Sequence, residues 1–269
     1  RQIRDDIQVH KTDILDLESL QPIFTGADCI FHEAALPSVQ RSVEDPLTTD
    51  AVNVRGTLNV LLAARDAGVR RVVYAASSSA YGDVEVENKV ETLAPRPLSP
   101  YGVSKLTAEY YCQAFTACYG LETAALRYFN VFGPRQDPNS LYAAVIPRFI
   151  TAMMSGMSPT IYGDGGQSRD FTHIDNIVHG NLLAANAPLA VGKVMNLALG
   201  IRVSLLDLVQ KIKHLLGSDY QPIFEPPRQG DIRHSQANVD LARALLNFSP
   251  VVDFDTGLAQ TVDWYRQTA

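Results

Sequence analysis

No apolar run in the chain approaches the roughly 20 residues that cross a bilayer. The opening stretch, Arg1-Gln-Ile-Arg-Asp-Asp-Ile-Gln-Val-His10, is charged and has no apolar core of a leader. Neither a signal peptide nor a membrane partner is therefore expected. Basic residues are in the minority: 23 Lys and Arg stand against 29 Asp and Glu, a net charge of -6. Neutralising phosphates takes clustered cations, so no nucleic-acid partner is expected. The three cysteines, Cys29, Cys112 and Cys118, are scattered and lack metal-ligand spacing. They read as reduced thiols of a cytoplasmic protein, with no metal site. Repeats and low-complexity segments are missing too. What remains, 46% hydrophobic and 19% charged residues over 269 positions, excludes a disordered tail, a collagen-like fibre and a disulfide mini-scaffold. The length allows one large domain or two modest ones.

What is present is an alternation of short apolar runs and longer helical stretches. Asp28–His32, Arg71–Ala76 and Ala124–Phe129 read as buried strands, and Ile7–His10 as a further one. A helix is expected from about 47 to 67, with Val52, Leu58, Leu61 and Leu62 near one face and Gly68 after its end. Another is expected from Pro100 to Tyr119, capped by Ser99, with Gly120 as its stop. In the second half, 143–155 reads as helical, and Ser204 opens a helix that runs to Leu216 before Gly217. Strand–helix–strand alternation implies parallel strands joined by right-handed crossovers, an α/β fold.

Two local patterns carry chemistry. Tyr101-Gly-Val-Ser-Lys105 lies at the start of a helix, and residues four apart share a helix face. An ammonium beside a phenol lowers the phenol's pKa, which is what a tyrosine base needs near neutral pH. Alone, this spacing also describes surface pairs on many helices. The second pattern is Ser77-Ser78-Ser79 after the apolar strand 71–76, where the chain leaves the carboxyl edge of the sheet. That edge is where open α/β sheets bind ligands. A serine cluster at a strand end, followed about two dozen residues later by Tyr-x-x-x-Lys, resembles the short-chain dehydrogenase/reductase superfamily.

The rest of the chain is similar to the extended branch of that superfamily, the NAD-dependent sugar epimerase/dehydratase family. This resemblance implies a Rossmann-like parallel sheet with a smaller α/β substrate-binding domain. It places the first domain at 1–133 and the second at 134–269, with about 173–198 returning to the first. It implies NAD as cofactor, a UDP-sugar as substrate and a homodimer paired through the helices near 47–67 and 100–119. Ser77, Tyr101 and Lys105 are the catalytic residues it implies. Asp13-Ile14 resembles the adenine-contacting pair, and His32-Glu-Ala34-Ala35 the segment that passes the cofactor pyrophosphate, with Asn53 of Asn53-Val-Arg-Gly-Thr57 as its neighbour. Tyr101, Lys105 and Tyr128 complete the implied cofactor contacts. On the substrate side stand Ser78, Ser79, Asn130, Val145, Tyr162, Arg169, Arg228, Asp231 and Ser235. Arg169 and Arg228 are placed to hold the diphosphate, a task that suits bidentate guanidinium groups.

The family's opening G-x-x-G-x-x-G turn, which meets the pyrophosphate at a helix N-terminus, is not found in the sequence. Gly163-Asp-Gly-Gly166 lies in the second half and cannot stand in for it. The expectation is a homologue without its first βαβ unit, with NAD affinity and activity reduced accordingly.

Among the family's reactions, 4,6-dehydration needs an Asp–Glu pair after the catalytic hydroxyl, and Ser78 and Ser79 stand there instead. The reading is 4-epimerisation of a UDP-hexose by transient oxidation at C4. In the family the residue four after the aspartate that Asp231 matches lines the sugar pocket, so the resemblance implies that the small Ser235 admits UDP-GlcNAc/UDP-GalNAc, with UDP-Glc/UDP-Gal also accepted. UDP-glucuronate decarboxylation, or another nucleotide-sugar modification of the same family, stays open as an alternative, as does an inactive fragment or nucleotide-sugar binder.

Overall fold

The structure, a computed structural model, describes residues 6–84, 86, 88–137, 144–227 and 233–268. In chain order its elements are α1 (Leu17–Phe24), β1 (Cys29–His32), α2 (Val39–Glu44), α3 (Pro46–Asp50), α4 (Gly56–Asp66), β2 (Arg71–Ser77), α5 (Pro100–Tyr119), β3 (Glu122–Tyr128) and β4 (Val131–Phe132). They continue with α6 (Val145–Met154), β5 (Thr160–Tyr162), β6 (Ser168–Arg169), β7 (Thr172–His173), α7 (Ile174–Asn186), β8 (Lys193–Leu197), β9 (Val203–Ser204), α8 (Leu205–Leu216), β10 (Ile223–Glu225), α9 (Asp240–Leu246) and α10 (Phe254–Thr268).

Strands β1, β2, β3 and β8 form one parallel sheet in that order, with His32 opposite Tyr74, Ser77 opposite Tyr128, and Tyr128 opposite Leu197. The sheet is covered on both faces. Val72, Tyr74 and Ala76 of β2 pack with Leu61, Ala108, Cys112 and Phe115 of α4 and α5, whereas Val73 packs on the opposite side with Ile177, Ala184 and Leu246. That two-sided cover explains why the strand sequences are continuous apolar runs and not alternating ones. The fold is Rossmann-type α/β. A second core gathers Phe149, Ile150, Ile161, Phe171, Leu208, Phe254 and Leu258 from α6, α8, α10 and the short strands between them.

The helix limits follow from their caps. The Ser99 hydroxyl accepts from the Gly102 amide at 3.1 Å, Pro100 occupies the first turn of α5, and Gly120 ends it at φ 70°. Ser204 accepts from the Asp207 amide at 3.0 Å at the start of α8, and Gly217 closes it at φ 64°.

Two local readings are corrected. Ile7–His10 forms no strand, and Ile7 and Val9 are exposed. A strand needs a neighbour for its backbone groups, and β2 is the partner that β1 has among the described residues. The helix expected across 47–67 is continuous from Pro46 to Asp66 but not uniformly α: a π-helical turn, Ala51–Arg55, lies between α3 and α4. The turn contains the buried Asn53, whose amide is drawn to partners outside its own helix. A π-turn adds a residue without ending the helix, and such turns concentrate at functional sites.

Candidate active site

The carboxyl ends of β1, β2 and β3 open on one edge of the sheet, and the first turns of α5 lie against it. Ser77 ends β2, and Ser78–Tyr81 form a 3₁₀ turn after it. The Ser79 amide and the Ser79 hydroxyl both donate to Ser77 Oγ, at 3.2 and 2.9 Å. With both lone pairs of that oxygen taken, its own proton is free to be given away. The hydroxyl acts on the Tyr101 phenol, where it favours the ionised form. The close approach of α5 to this turn depends on Gly102, where a Cβ would come within 2.9 Å of the Ser79 carbonyl oxygen. Any larger residue would push the helix start off the serine turn.

Lys105, one turn along α5, is buried and donates from Nζ to the Ala75 carbonyl at 2.7 Å. Its ammonium lies 4.9 Å from the Tyr74 ring centroid. Burial pulls its pKa down to about 8, and Glu33, then Cys112 and Glu109, act in the opposite sense. Burial also raises Tyr101 above the usual phenol value, against the pull of the Ser77 hydroxyl. The expectation that Lys105 brings the phenol down is thus corrected for the chain by itself: desolvation outweighs it. His32, on β1, is held neutral by burial, down to about 3, and meets Thr57 Oγ1 at 2.9 Å.

Below this edge the same face of α5 continues as scaffold. Glu109, four residues after Lys105, makes a two-pronged pair with Arg127 of β3 at 2.9 and 2.7 Å, and both are buried. Arg127 also lies 4.4 Å from the Tyr81 ring centroid, and the Tyr81 hydroxyl donates to Asn196 Oδ1 at 2.7 Å. The Cys112 thiol, pushed up to about 12 by burial, is unreactive. All three cysteines are free.

On the second core, Arg169 of β6 donates to the Ser168 carbonyl at 2.9 Å. Asp170 is buried and accepts from the amides of Leu199, Gly200 and Ala237 at 3.2, 3.0 and 3.1 Å. Burial still raises its pKa, to about 7. These bonds tie the 199–201 turn and the 233–238 segment to β6. Ser235 is buried in that segment, its amide donating to the Ser168 carbonyl at 3.1 Å.

Residues 1–198 match the family model described as "NAD dependent epimerase/dehydratase family". The chain belongs to that family. The UDP-glucose 4-epimerase of Mycolicibacterium smegmatis is 37% identical over 265 residues, which are 97% of this chain and 84% of that protein. The UDP-N-acetylglucosamine 4-epimerase of Methanobrevibacter ruminantium, solved with UDP-N-acetylmuramic acid, superposes with a TM-score of 0.95 at 39% identity, covering 98% of this chain and 84% of that one. The UDP-glucose 4-epimerase of Thermus thermophilus, solved with NAD, gives 0.88 at 32% identity, covering 96% and 84%.

The other residues expected from the epimerase family's pattern are spread over both halves of the chain. Asp13 is exposed and Ile14 half-buried, close to Gly56 of α4 and held by Asn59 Nδ2 donating to its carbonyl at 3.0 Å. Ala34 is exposed and Ala35 half-buried in the loop after β1. Asn53 accepts from the Leu36 amide at 2.8 Å and donates to Ser104 Oγ at 3.0 Å, which fixes that loop to α5. Its side chain therefore works on the protein itself. Asn130 adopts φ 31°, a conformation asparagine tolerates, and donates to the Asp170 carbonyl at 3.3 Å. Val145 starts α6, and Tyr162 lies in β5 with the Arg148 guanidinium 5.9 Å from its ring. Ser78 is half-buried in the serine turn. Arg228 and Asp231 lie outside the described residues.

Sequence reasoning missed Glu33, Glu109, Arg127, Asp170 and Asn181. For Glu109 a signal existed: Tyr101, Lys105 and Glu109 repeat at intervals of four. For the others the decisive partner lies far along the chain.

Proposed function

We propose that this protein interconverts a UDP-hexose with its C4 epimer, using NAD, with UDP-GlcNAc and UDP-GalNAc as the preferred pair. The observation that carries the reading is the meeting of the Ser77–Ser79 turn with the start of α5 at the carboxyl edge of the sheet, with Lys105 one turn behind Tyr101. The cofactor's nicotinamide end suits this edge. Lys105 supplies buried N–H donors, and the exposed Ala34 and half-buried Ala35 leave the adjoining loop free of bulky side chains. When bound, NAD would take a hydride from sugar C4, return it, and bring positive charge beside the phenol. Tyr101 would remove the proton of the 4-hydroxyl and later give it back. Ser77, its proton committed to donation by the two Ser79 bonds, would steady the oxygen as its charge changes. Epimerisation requires that either face of C4 be presented, so the nucleotide end must be the anchor. Asn130, Val145, Tyr162 and Arg169, with Arg228 and Asp231, are assigned to it.

Ser235 is the basis for N-acetyl acceptance: a small side chain on a segment pinned by Ser168 and Asp170 leaves room beside the sugar. The chain is read as two lobes, 1–133 with about 173–198, and the remainder of 134–269. The positions of α7 and β8 on the main sheet support this, and α9 packs on the same core. A homodimer is part of the reading. Leu47 of α3, and Val103 and Tyr110 of α5, are exposed apolar residues on the helices assigned to the pairing. Light scattering would give twice the chain mass.

The test of function is NMR analysis of the products after incubation with NAD and UDP-GlcNAc. UDP-GalNAc is the expected new signal. A product lacking the C6 carbon, formed from UDP-glucuronate under the same conditions, would replace this reading by decarboxylation.

A further inference from the structure

The Ser77–Tyr101–Lys105 set leaves one acidic group at the same edge without a role. Glu33 is the first residue after β1. Since His32 pairs with Tyr74, the register carries Glu33 to the level of Ala75, whose carbonyl holds Lys105 Nζ at 2.7 Å. On its other side, Glu33 Oε1 accepts from the Tyr128 hydroxyl at 2.8 Å. Asn181 of α7 donates from Nδ2 to the same hydroxyl at 2.7 Å and to the Ile177 carbonyl at 2.8 Å. One chain of hydrogen bonds thus joins the loop after β1, the end of β3 and the middle of α7.

We propose that Glu33 is a positioning residue: it locks the Tyr128 hydroxyl to Asn181 and stands as the acidic counterpart of Lys105. The proposal rests on the reading of Lys105 as part of the reactive set. The charged and titratable groups acting on Lys105 come from three sides. Glu33 faces it from the β1 loop, His32 from β1, and Glu109 and Cys112 from α5. Tyr74 adds its ring from β2. His32 is neutral, Cys112 stays a thiol, and Glu109 is committed to Arg127. Glu33 is therefore the acid whose charge is not already bound to another cation. Glu33 itself faces Tyr128 and Lys105. Loss of water raises its carboxyl, and both neighbours pull the other way.

The sign follows. Removing a negative charge that acts on an ammonium through space favours the neutral amine, so the lysine would lose its proton at lower pH. The direct probe is the ¹³Cε shift of Lys105 in lysine-labelled protein, assigned with Lys105→Arg and followed against pH. Glu33→Gln should lower the Lys105 midpoint by about one pH unit, and the alkaline limb of kcat should move down with it. Glu33→Asp, which keeps the charge, should bring the midpoint back most of the way. A midpoint unchanged in Glu33→Gln overturns the proposal, as does a fall of the same size in Glu33→Asp, which would assign the effect to lost packing. Should Glu33→Gln not fold, Glu33→Asp and Tyr128→Phe decide. Both retain the charge, and both should keep the midpoint near the wild-type value; a full one-unit fall in either overturns the proposal. If the wild type makes no epimer, the 4-epimerase reading fails while the lysine titration still reports on Glu33.

Discussion

The first turns of α5 and its middle turns bury one cation-centred cluster each, and they treat it in opposite ways. Lys105 is buried with its one hydrogen bond among the described residues to a neutral carbonyl and no acid in direct contact, and burial pulls its pKa to about 8. Arg127, one layer lower, is buried against a carboxylate that grips it at two points, and its pKa is raised. A buried charge with a bidentate opposite partner is fixed; one with a neutral partner stays poised to respond. The fixed pair anchors helix to sheet, and the poised group sits where chemistry is expected. The difference lies in what each cation meets on the neighbouring strand, not in how deeply it is buried.

The strongest way to sharpen this comparison is Tyr101→Phe. It should lower kcat by about a thousandfold, the usual worth of a positioned acid–base group, while UDP-sugar affinity by calorimetry stays within a few-fold. An equal loss of affinity would assign Tyr101 to binding. Glu109→Gln attacks the fixed pair. It leaves Arg127 buried without its counter-charge and should cost about 3 kcal/mol or more in urea unfolding, since Arg127 Nη1 already has no hydrogen-bond partner among the described residues. A small loss would show that the pair is worth little beyond its packing.

Lys105→Met tests the poised group, and here stability and activity should part. The folded protein holds Lys105 below the usual lysine value, so the unfolded chain binds more protons between about pH 8 and the ordinary lysine range. Stability should therefore rise with pH across that window in the wild type. The methionine variant should lack this rise and gain about 2 kcal/mol at pH 7, while losing turnover. Urea midpoints at pH 7 and pH 9.5 check the sign; the lost bond to Ala75 works against the gain. The smallest effect is expected for Ser235→Tyr, away from α5. It should cut kcat/KM for UDP-GlcNAc at least about tenfold more than for UDP-glucose, as expected when a pocket loses room for a substituent. Equal losses would remove Ser235 from substrate choice.

Part of the fold and of the site is legible in the order of residues alone. Ser77, Tyr101 and Lys105 can be found because each depends on local geometry: a strand that ends in serines, a capped helix start, and a spacing of four. The same holds for Pro100, Gly120, Ser204 and Gly217, whose cap roles are set by their own neighbours in the chain. Legibility ends where a residue's meaning depends on a distant partner. Ile7–His10 has strand composition and no strand. Val52 to Leu62 has helical period, yet a π-turn within that helix aims Asn53 at Leu36 and Ser104.

The class of fold and the place of the candidate site residues follow from the linear string, since periodicity, caps and i, i+4 spacing are short-range and survive in it. The electrostatics come from packing. Whether Tyr101 rises or falls, whether Lys105 is poised or fixed, and whether Glu33 finds Tyr128 all depend on which elements exclude water and which partners lie across the sheet. Desolvation and long-range pairing arise only when the chain has closed on itself, so neither is written at any single position.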